Sequence, residues 1–105
     1  MRTSTIAKHL TAGRDSPFAV ALGREIRARR QALGLSQATA AQPLSRAFLS
    51  SVESGRLTPS LSSLLIIARQ LNASAATILA SVEFQLEARD EDGGTDEEAD
   101  LPRRG

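Results

Sequence analysis

The sequence contains no cysteine, tryptophan or tyrosine, and its aromatic residues are limited to three phenylalanines. Without cysteine the chain forms no disulfide and offers no thiolate to a metal, and nothing in it indicates an oxidising compartment. A core with so few aromatic side chains is built from leucine, isoleucine, valine and alanine. This composition favours helices over sheets.

Long apolar runs are also missing. No stretch approaches the roughly 18 consecutive apolar residues of a membrane-spanning helix, and the N-terminus lacks the apolar segment of a signal peptide. The predicted location is therefore the cytoplasm, and no membrane partner is expected. With 105 residues the chain has room for one domain.

Residues suited to catalysis or metal binding are scarce. The single histidine, His9, lies near the N-terminus, and Glu53 is the one acid between Ile26 and Val82. No nucleophile–base set and no cluster of metal ligands can be assembled from such residues. The sequence predicts a protein that is not an enzyme and that requires no metal, cofactor or small-molecule ligand.

Charge is strongly segregated although the net charge is only +1. Between residues 24 and 69, seven arginines accompany two glutamates, a net of +5. Residues 90–105 carry seven acids and two arginines, a net of −5. A basic centre with an acidic end indicates a domain that binds a polyanion and carries a solvated appendage. We therefore predict a disordered arm over residues 1–16, a domain over 17–88 and a disordered acidic tail over 89–105.

Serine residues divide the predicted domain into five short helices. A serine precedes each helix as an N-cap, and the first helix also has a proline in its first turn. The predicted helices cover 18–33, 37–41, 46–54, 61–71 and a stretch after Ser74, and the caps are Ser16, Ser36, Ser45, Ser60 and Ser74. Gly34, Gly55 and Asn72 lie where these helices are expected to end. The expected fold is a compact all-α domain of five helices.

Apolar residues at helical spacing predict the core. It comprises Leu35, Leu44, Leu49, Val52, Leu61, Leu64, Leu65, Ala68, Leu71 and Ile78. In the fourth helix, Leu61, Leu64 and Leu65 begin an i, i+3, i+4, i+7 pattern. If residues 74–89 form one long helix, a stripe of Ile78, Val82 and Leu86 offers an apolar surface to a second copy or another protein.

Three separated segments carry the most informative residue patterns. They are Gly34-Leu35-Ser36-Gln37, the stretch PLSRAFLSSVESGR over 43–56, and Pro59-Ser60-Leu61. In this order they resemble the Cro/repressor-like helix-turn-helix family, also called the xenobiotic-response-element type. The resemblance extends from about residue 22 to 79 and implies a lambda-repressor-like DNA-binding fold. In such a fold the helix over 45–54 enters the major groove.

The turn before this helix departs from the usual family pattern. Most members carry about two more residues between the second and third helices, and the turn usually contains a glycine. Here Pro43-Leu44 replaces that turn, and Ala40 stands where a leucine usually packs. The chain therefore resembles the short-turn members of the family that carry a proline at this point.

The third helix supplies the candidate contacts to DNA bases, which are Arg46, Ala47, Phe48, Ser50 and Ser51. The fork of Arg46 suits guanine, because it reaches O6 and N7 together. Ala47 and Phe48 are expected at a thymine methyl group, and Ser51 at a base or a phosphate. For Phe48, a role as a partly buried core aromatic is an equal alternative.

Other residues are predicted to contact phosphate or to hold the third helix. The resemblance implies a phosphate contact for Gln37, and Ser36, Arg27, Arg29 and Arg56 are further candidates. Family members also commonly pair an arginine at the end of the first helix with a glutamate at the end of the third. This implies that Arg30 and Glu53 form an ion pair, the alternative being that both charges are exposed.

These patterns predict a sequence-specific transcriptional regulator whose main partner is double-stranded DNA. Repression is the common outcome in the family, and reading two half-sites about one DNA turn apart requires a homodimer. Such a protein would associate with the nucleoid. The alternative is a protein-interaction module, antitoxin-like or adaptor-like, that uses the same fold with a partner at residues 74–89.

Overall fold

The computed structural model describes the backbone of residues 14–104 and the side chains of residues 14–89. Over this range the elements are α1 (Pro17–Ala32), α2 (Gln37–Ala41), α3 (Arg46–Glu53), α4 (Leu61–Gln70) and α5 (Ala75–Arg104). These described residues include no β-strand, and the all-α fold with five helices is confirmed.

All five predicted serine caps are present. Each serine hydroxyl accepts a hydrogen bond from the backbone N–H three residues later, at 3.0–3.1 Å. The ends of the helices are also as expected, since Gly34, Gly55 and Asn72 adopt φ angles of 71°, 82° and 57°. With five residues in α2 and eight in α3, helix propensity alone would not stabilise either helix. The serine cap contributes about 1 kcal/mol to the stability of each.

The core is a single cluster of aliphatic side chains to which every helix contributes. It comprises Leu22, Ile26, Ala40, Ala41, Leu49, Val52, Leu64, Ile67, Ala68, Leu71, Ala75, Ile78, Val82 and Leu86. The predicted core positions in α3 are therefore confirmed, as are Leu64, Ala68, Leu71 and Ile78. Leu35 and Leu44 are half-buried against the cluster.

The buried face of α4 differs from the prediction. Leu61 is 67% exposed and Leu65 is 54% exposed, whereas Ile67 is fully buried. The core face runs through Leu64, Ile67 and Ala68, which also fit the i, i+3, i+4 spacing. Residues 64–67 are four apolar residues in a row, so spacing alone is compatible with a buried face through Leu61 and Leu65 or with one through Ile67. The prediction of the first face is wrong.

The apolar stripe of α5 is internal. Ile78, Val82 and Leu86 are buried in the core, so the prediction that they form a free surface is wrong. Phe84 lies on the opposite side of this helix and is 71% exposed. Among the described residues no single helix is long and apolar enough to span a membrane; α4 and α5 as far as Arg89 reach that length and composition only as a pair bent by 103°.

The two predicted appendages are described to different extents. Residues 1–13 lie outside the described residues, but Asp15 belongs to the fold, because its backbone N–H donates to the carbonyl of Gly55 at 2.7 Å. In the acidic segment the backbone of α5 extends to Arg104. The side chains beyond Arg89 lie outside the described residues.

Candidate nucleic-acid interface

Helix α3 has one buried side and one accessible side. Leu49, Val52 and Glu53 are buried. Arg46 and Ala47 are exposed, and Ser50 and Ser51 are half-buried. At 100° per residue, Ala47 and Ser51 project directly away from the core. Ala47 and Ser51 therefore form the accessible face of α3, Ser50 lies beside it, and Arg46 is exposed at the first turn.

Phe48 lies at the flank of this face. Its side chain is half-buried and packs against the core cluster. The aromatic ring therefore fixes α3 against the domain, which agrees with the alternative interpretation of this residue as a core aromatic. Only the accessible part of the ring remains for a base.

Gly23 determines how closely α3 approaches α1. A Cβ atom on Gly23 would lie 2.4 Å from the carbonyl oxygen of Val52 and 2.6 Å from that of Glu53. Both neighbours are backbone atoms, so no side-chain rotation relieves the overlap. Gly23 is not among the site residues predicted from the sequence. A glycine inside an amphipathic helix was the available signal, because glycine there is unfavourable without a packing reason.

The predicted ion pair between Arg30 and Glu53 is present and has two hydrogen bonds. Arg30 Nε donates to Glu53 Oε2 at 2.7 Å, and Nη2 donates to Oε1 at 3.0 Å. The side chains are 12% and 4% exposed, so the alternative of two exposed charges is wrong. Hydrogen bonding to Glu53 raises the pKa of Arg30 above its usual value, against the opposing effect of burial. The guanidinium therefore stays charged.

Arg30 also holds the turn that leads into α2. Its Nη1 donates to the backbone carbonyl of Leu35 at 2.8 Å. One side chain of α1 thereby bonds both the C-terminal end of α3 and the residue before the cap of α2. This guanidinium therefore links α3 to the turn that precedes α2.

Gln37 connects the ion pair to the start of α3. Its Nε2 donates to Glu53 Oε1 at 3.0 Å, and its Oε1 accepts from Arg46 Nη1 at 3.3 Å. The network therefore contains Arg30, Glu53, Gln37 and Arg46, in that order. All four residues are among those predicted from the sequence, but the two bonds of Gln37 are not, since neither spacing nor the family resemblance indicates them.

The remaining phosphate candidates differ in availability. Arg56 and Arg27 are exposed. Arg29 is held by Glu25 at 2.7 Å, and Glu25 also accepts from Gln85 of α5 at 2.8 Å. Residues two apart on a helix project about 200° apart, so Arg29 and Arg27 lie on nearly opposite sides of α1. Arg29 therefore lies on the same side of α1 as Glu25, which contacts α5.

Ser36 is already engaged by its own helix. Its hydroxyl accepts from the backbone N–H of Thr39 at 3.1 Å and donates to Thr39 Oγ1 at 3.0 Å. A phosphate oxygen bound here would have to replace Thr39 Oγ1 as the acceptor of the Ser36 hydroxyl proton.

Comparison with known proteins places this geometry in a family. A family model described as a helix-turn-helix domain matches residues 21–80. The restriction-modification controller protein C.AhdI from Aeromonas hydrophila has 32% sequence identity and a TM-score of 0.55, over 57% of this chain and 94% of that one. A search of curated protein sequences returns no significant match.

The clp gene regulator ClgR from Corynebacterium glutamicum matches more of the chain. One of its structures has 26% identity and a TM-score of 0.66, over 82% of this chain and 87% of that one. A second has 28% identity and a TM-score of 0.60, over 65% and 91% of the two chains. The chain belongs to the helix-turn-helix domain family and is a non-enzymatic DNA-binding regulator.

Proposed function

We propose that the protein is a transcriptional repressor that binds a two-fold symmetric operator as a homodimer, with α3 of each copy in the major groove. The supporting observation is that Ala47 and Ser51 form the accessible face of α3 opposite the buried Leu49 and Val52, and that Arg46 is exposed at the first turn of the helix. To read bases in the major groove, a helix must pack against its domain on one side and present accessible side chains on the other. The protein would then act in the cytoplasm, at the nucleoid.

The charge around α3 supports DNA as the partner. Between residues 26 and 82 the one carboxylate is that of Glu53, and it is buried and paired with Arg30. Arg27, Arg46 and Arg56 are exposed. A surface with exposed guanidinium groups and no exposed acid attracts phosphate and raises the rate of encounter with DNA.

The proposed contacts follow from this arrangement. Arg46 reads a guanine, Ala47 and the accessible edge of Phe48 contact a thymine methyl group, and Ser50 and Ser51 bond bases or phosphate. Arg56 and Arg27 contact phosphates, and Ser36 and Gln37 are assigned to phosphate through the family resemblance. Arg29 would have to leave Glu25 to join them.

The link between α2 and α3 belongs to the same proposal. Gln42 leaves the helical conformation at φ −51° and ψ 139°, and Pro43 and Leu44 lead directly to the cap Ser45. Gln42 is followed by proline, which disfavours a helical conformation in the preceding residue. We assign the chain on this basis to the short-turn members of the Cro/repressor-like group.

Selection from random duplex DNA tests this function. A two-fold symmetric site should emerge, and its affinity should fall steeply with salt because several phosphates are neutralised. Arg46→Ala should then relax one position in each half-site, with a loss of about 1–3 kcal/mol of discrimination. The fold should be unaffected, because Arg46 is exposed.

Arg24→Ala is the matched control for this prediction. Arg24 is also exposed, but it lies on the outer side of α1, away from the core. Arg24→Ala removes the same charge as Arg46→Ala, so a general electrostatic effect on DNA affinity would appear in both variants. If Arg46→Ala left the base preference unchanged, Arg46 would not be a base-reading residue.

The outer face of α5 is the proposed dimer surface. Ala76, Ala80 and Phe84 are exposed and lie four residues apart, on one side of the helix. Small residues allow two helices to approach closely, and an exposed aromatic side chain gains free energy when a partner covers it. This surface replaces the stripe of Ile78, Val82 and Leu86 in the prediction from the sequence.

Phe84→Ser should weaken the dimer at least about tenfold, since a buried aromatic contributes more than the 1.4 kcal/mol that a tenfold change in Kd represents. Sedimentation velocity over a concentration series measures this change. Glu83→Gln, on the neighbouring exposed residue of α5, is the control and should leave the dimer intact. Equal dimer affinity in both variants would rule out this surface.

The alternative function is an adaptor or antitoxin-like module that binds a protein through residues 74–89. The exposure of Phe84 is the observation that favours it. The same selection separates the two functions: an adaptor yields weak binding without base preference, whereas a repressor yields a symmetric site.

A further inference from the structure

We infer that Gln70, the last residue of α4, is a positioning residue for the short turn between α2 and α3 and, through that turn, for Arg46. This inference rests on the proposed function, because it concerns the side chain that is assigned there to base reading. It names the residue that holds the turn at which this chain departs from the usual family pattern.

The side chain of Gln70 crosses from α4 to the end of α2. Its amide nitrogen Nε2 donates to the backbone carbonyl of Gln42, 28 residues earlier in the chain. A carbonyl oxygen only accepts hydrogen bonds, so the amide atom that meets it must be the nitrogen. Gln42 is the residue at which the backbone leaves the helical conformation, with φ −51° and ψ 139°. The bond is therefore made where the chain turns from α2 toward α3.

Few other contacts hold this point of the turn. Gln42 and Pro43 are exposed, and both border an open groove of about 700 Å³. Pro43 has no N–H to donate, and the bond from the N–H of Leu44 to the carbonyl of Ala41, at 2.7 Å, stays within the turn. Within residues 14–89, the hydrogen bond from Gln70 is therefore the one that ties Gln42 and Pro43 to another helix.

Gln70 itself starts from a fixed part of the domain. The next residue, Leu71, is buried in the core, and its N–H donates to the carbonyls of Ile67 at 3.2 Å and Ala68 at 2.9 Å. Helix α2 also packs against α4. The amide of Gln70 therefore restricts the backbone of Gln42 relative to the core, and not merely relative to another exposed side chain.

The turn leads directly into the first turn of α3. Leu44 alone separates Pro43 from Ser45, and the hydroxyl of Ser45 caps α3 by accepting from the N–H of Phe48 at 3.0 Å. Arg46 is the first residue of this helix and is exposed. A displacement of the turn is therefore passed on to the backbone that carries Arg46.

The middle and the end of α3 have separate supports. Leu49 and Val52 are fully buried, and the carboxylate of Glu53 is held by its ion pair. Ser51 lies among these anchored residues. Loss of the bond from Gln70 should therefore displace Arg46 and leave Ser51 in place.

Amide hydrogen exchange in the free protein tests whether Gln70 holds the turn. Gln70→Met keeps the length of the side chain and removes the donor. The N–H of Leu44 should then exchange about two- to tenfold faster, which corresponds to the net contribution of one hydrogen bond. Gln31→Met, at an exposed glutamine of α1, is the matched control and should leave this rate unchanged. An unchanged rate in Gln70→Met would overturn the inference.

Base discrimination by the full chain tests whether the turn positions Arg46. Affinity is measured for the selected operator and for operators altered at the base pair that Arg46→Ala relaxes or at the one that Ser51→Ala relaxes. Gln70→Met should reduce discrimination about two- to tenfold at the first base pair and leave it constant at the second. A merely structural role of Gln70 would affect both base pairs alike, and that result would overturn the inference.

Gln70→Lys is the rescue variant, because its ammonium group again donates a hydrogen bond. The added charge acts on phosphates, whose contacts carry no sequence information, so it cancels in the ratio of two affinities. Discrimination at the Arg46 base pair should return toward that of the original protein, and a value as low as in Gln70→Met would overturn the inference. If the original protein selected no site, the proposed repressor function would fail, whereas the exchange rate of Leu44 would still decide whether Gln70 holds the turn.

Discussion

Gly23→Ala is expected to destabilise the domain by about 2–3 kcal/mol, the upper part of the 1–3 kcal/mol that overpacking of a well-packed contact typically costs. The added methyl group would meet the carbonyl oxygens of Val52 and Glu53 at 2.4 and 2.6 Å. Since backbone atoms cannot rotate away, α1 and α3 must separate. In a domain of this size the melting temperature should fall by roughly 10–20 °C.

Circular dichroism during heating measures this effect, and DNA affinity measures its consequence. The separation of α1 from α3 displaces Glu53 from Arg30, so binding should weaken along with stability. Ala28→Leu is the control, since Ala28 is exposed on the same helix and tolerates a larger side chain. A melting temperature within a few degrees of the original protein would show that the two helices are not in close contact.

Local signals account for most of the predicted fold. The five serine caps and the left-handed residues Gly34, Gly55 and Asn72 depend on short stretches of sequence, and all were predicted correctly. A cap is local, because the hydroxyl reaches a backbone N–H only three residues away. Such features can be read from the sequence without knowledge of the partner helices.

The errors concern contacts between distant parts of the chain. The buried side of α4 depends on how the helix is rotated against its neighbours, and residues 64–67 are apolar on every side. The stripe of α5 was correctly recognised as apolar, but its partner is the domain itself. Periodicity identifies an apolar face, and only packing shows what covers it.

The functional site was predicted through resemblance more than through physics. Arg30 and Glu53 are 23 residues apart, and no local pattern connects them. Their pairing was expected only because related proteins pair residues at these positions. The contacts of Gly23 and the two bonds of Gln37 had no such support, because each depends on the exact approach of α1, α2 and α3 to one another.

Glu53→Ala is the second change with a large expected effect. It removes the carboxylate that holds Arg30 and leaves a guanidinium that is 12% exposed without its partner. Breaking a buried ion pair by removing one partner costs about 3–5 kcal/mol, whereas the pair itself contributes less, because both ions lose hydration on burial. Thermal unfolding should show a large decrease, and DNA binding should weaken because α3 is no longer held.

Glu25→Ala provides the matched comparison. Glu25 also pairs with an arginine at 2.7 Å, but the two side chains are 30% and 13% exposed, against 12% and 4% for Arg30 and Glu53, so its loss should cost less stability. Arg30→Met combined with Glu53→Ala should recover part of the lost stability, because no charge is then left buried. If Glu53→Ala kept both its melting temperature and its affinity, the ion pair would have no role in holding α3.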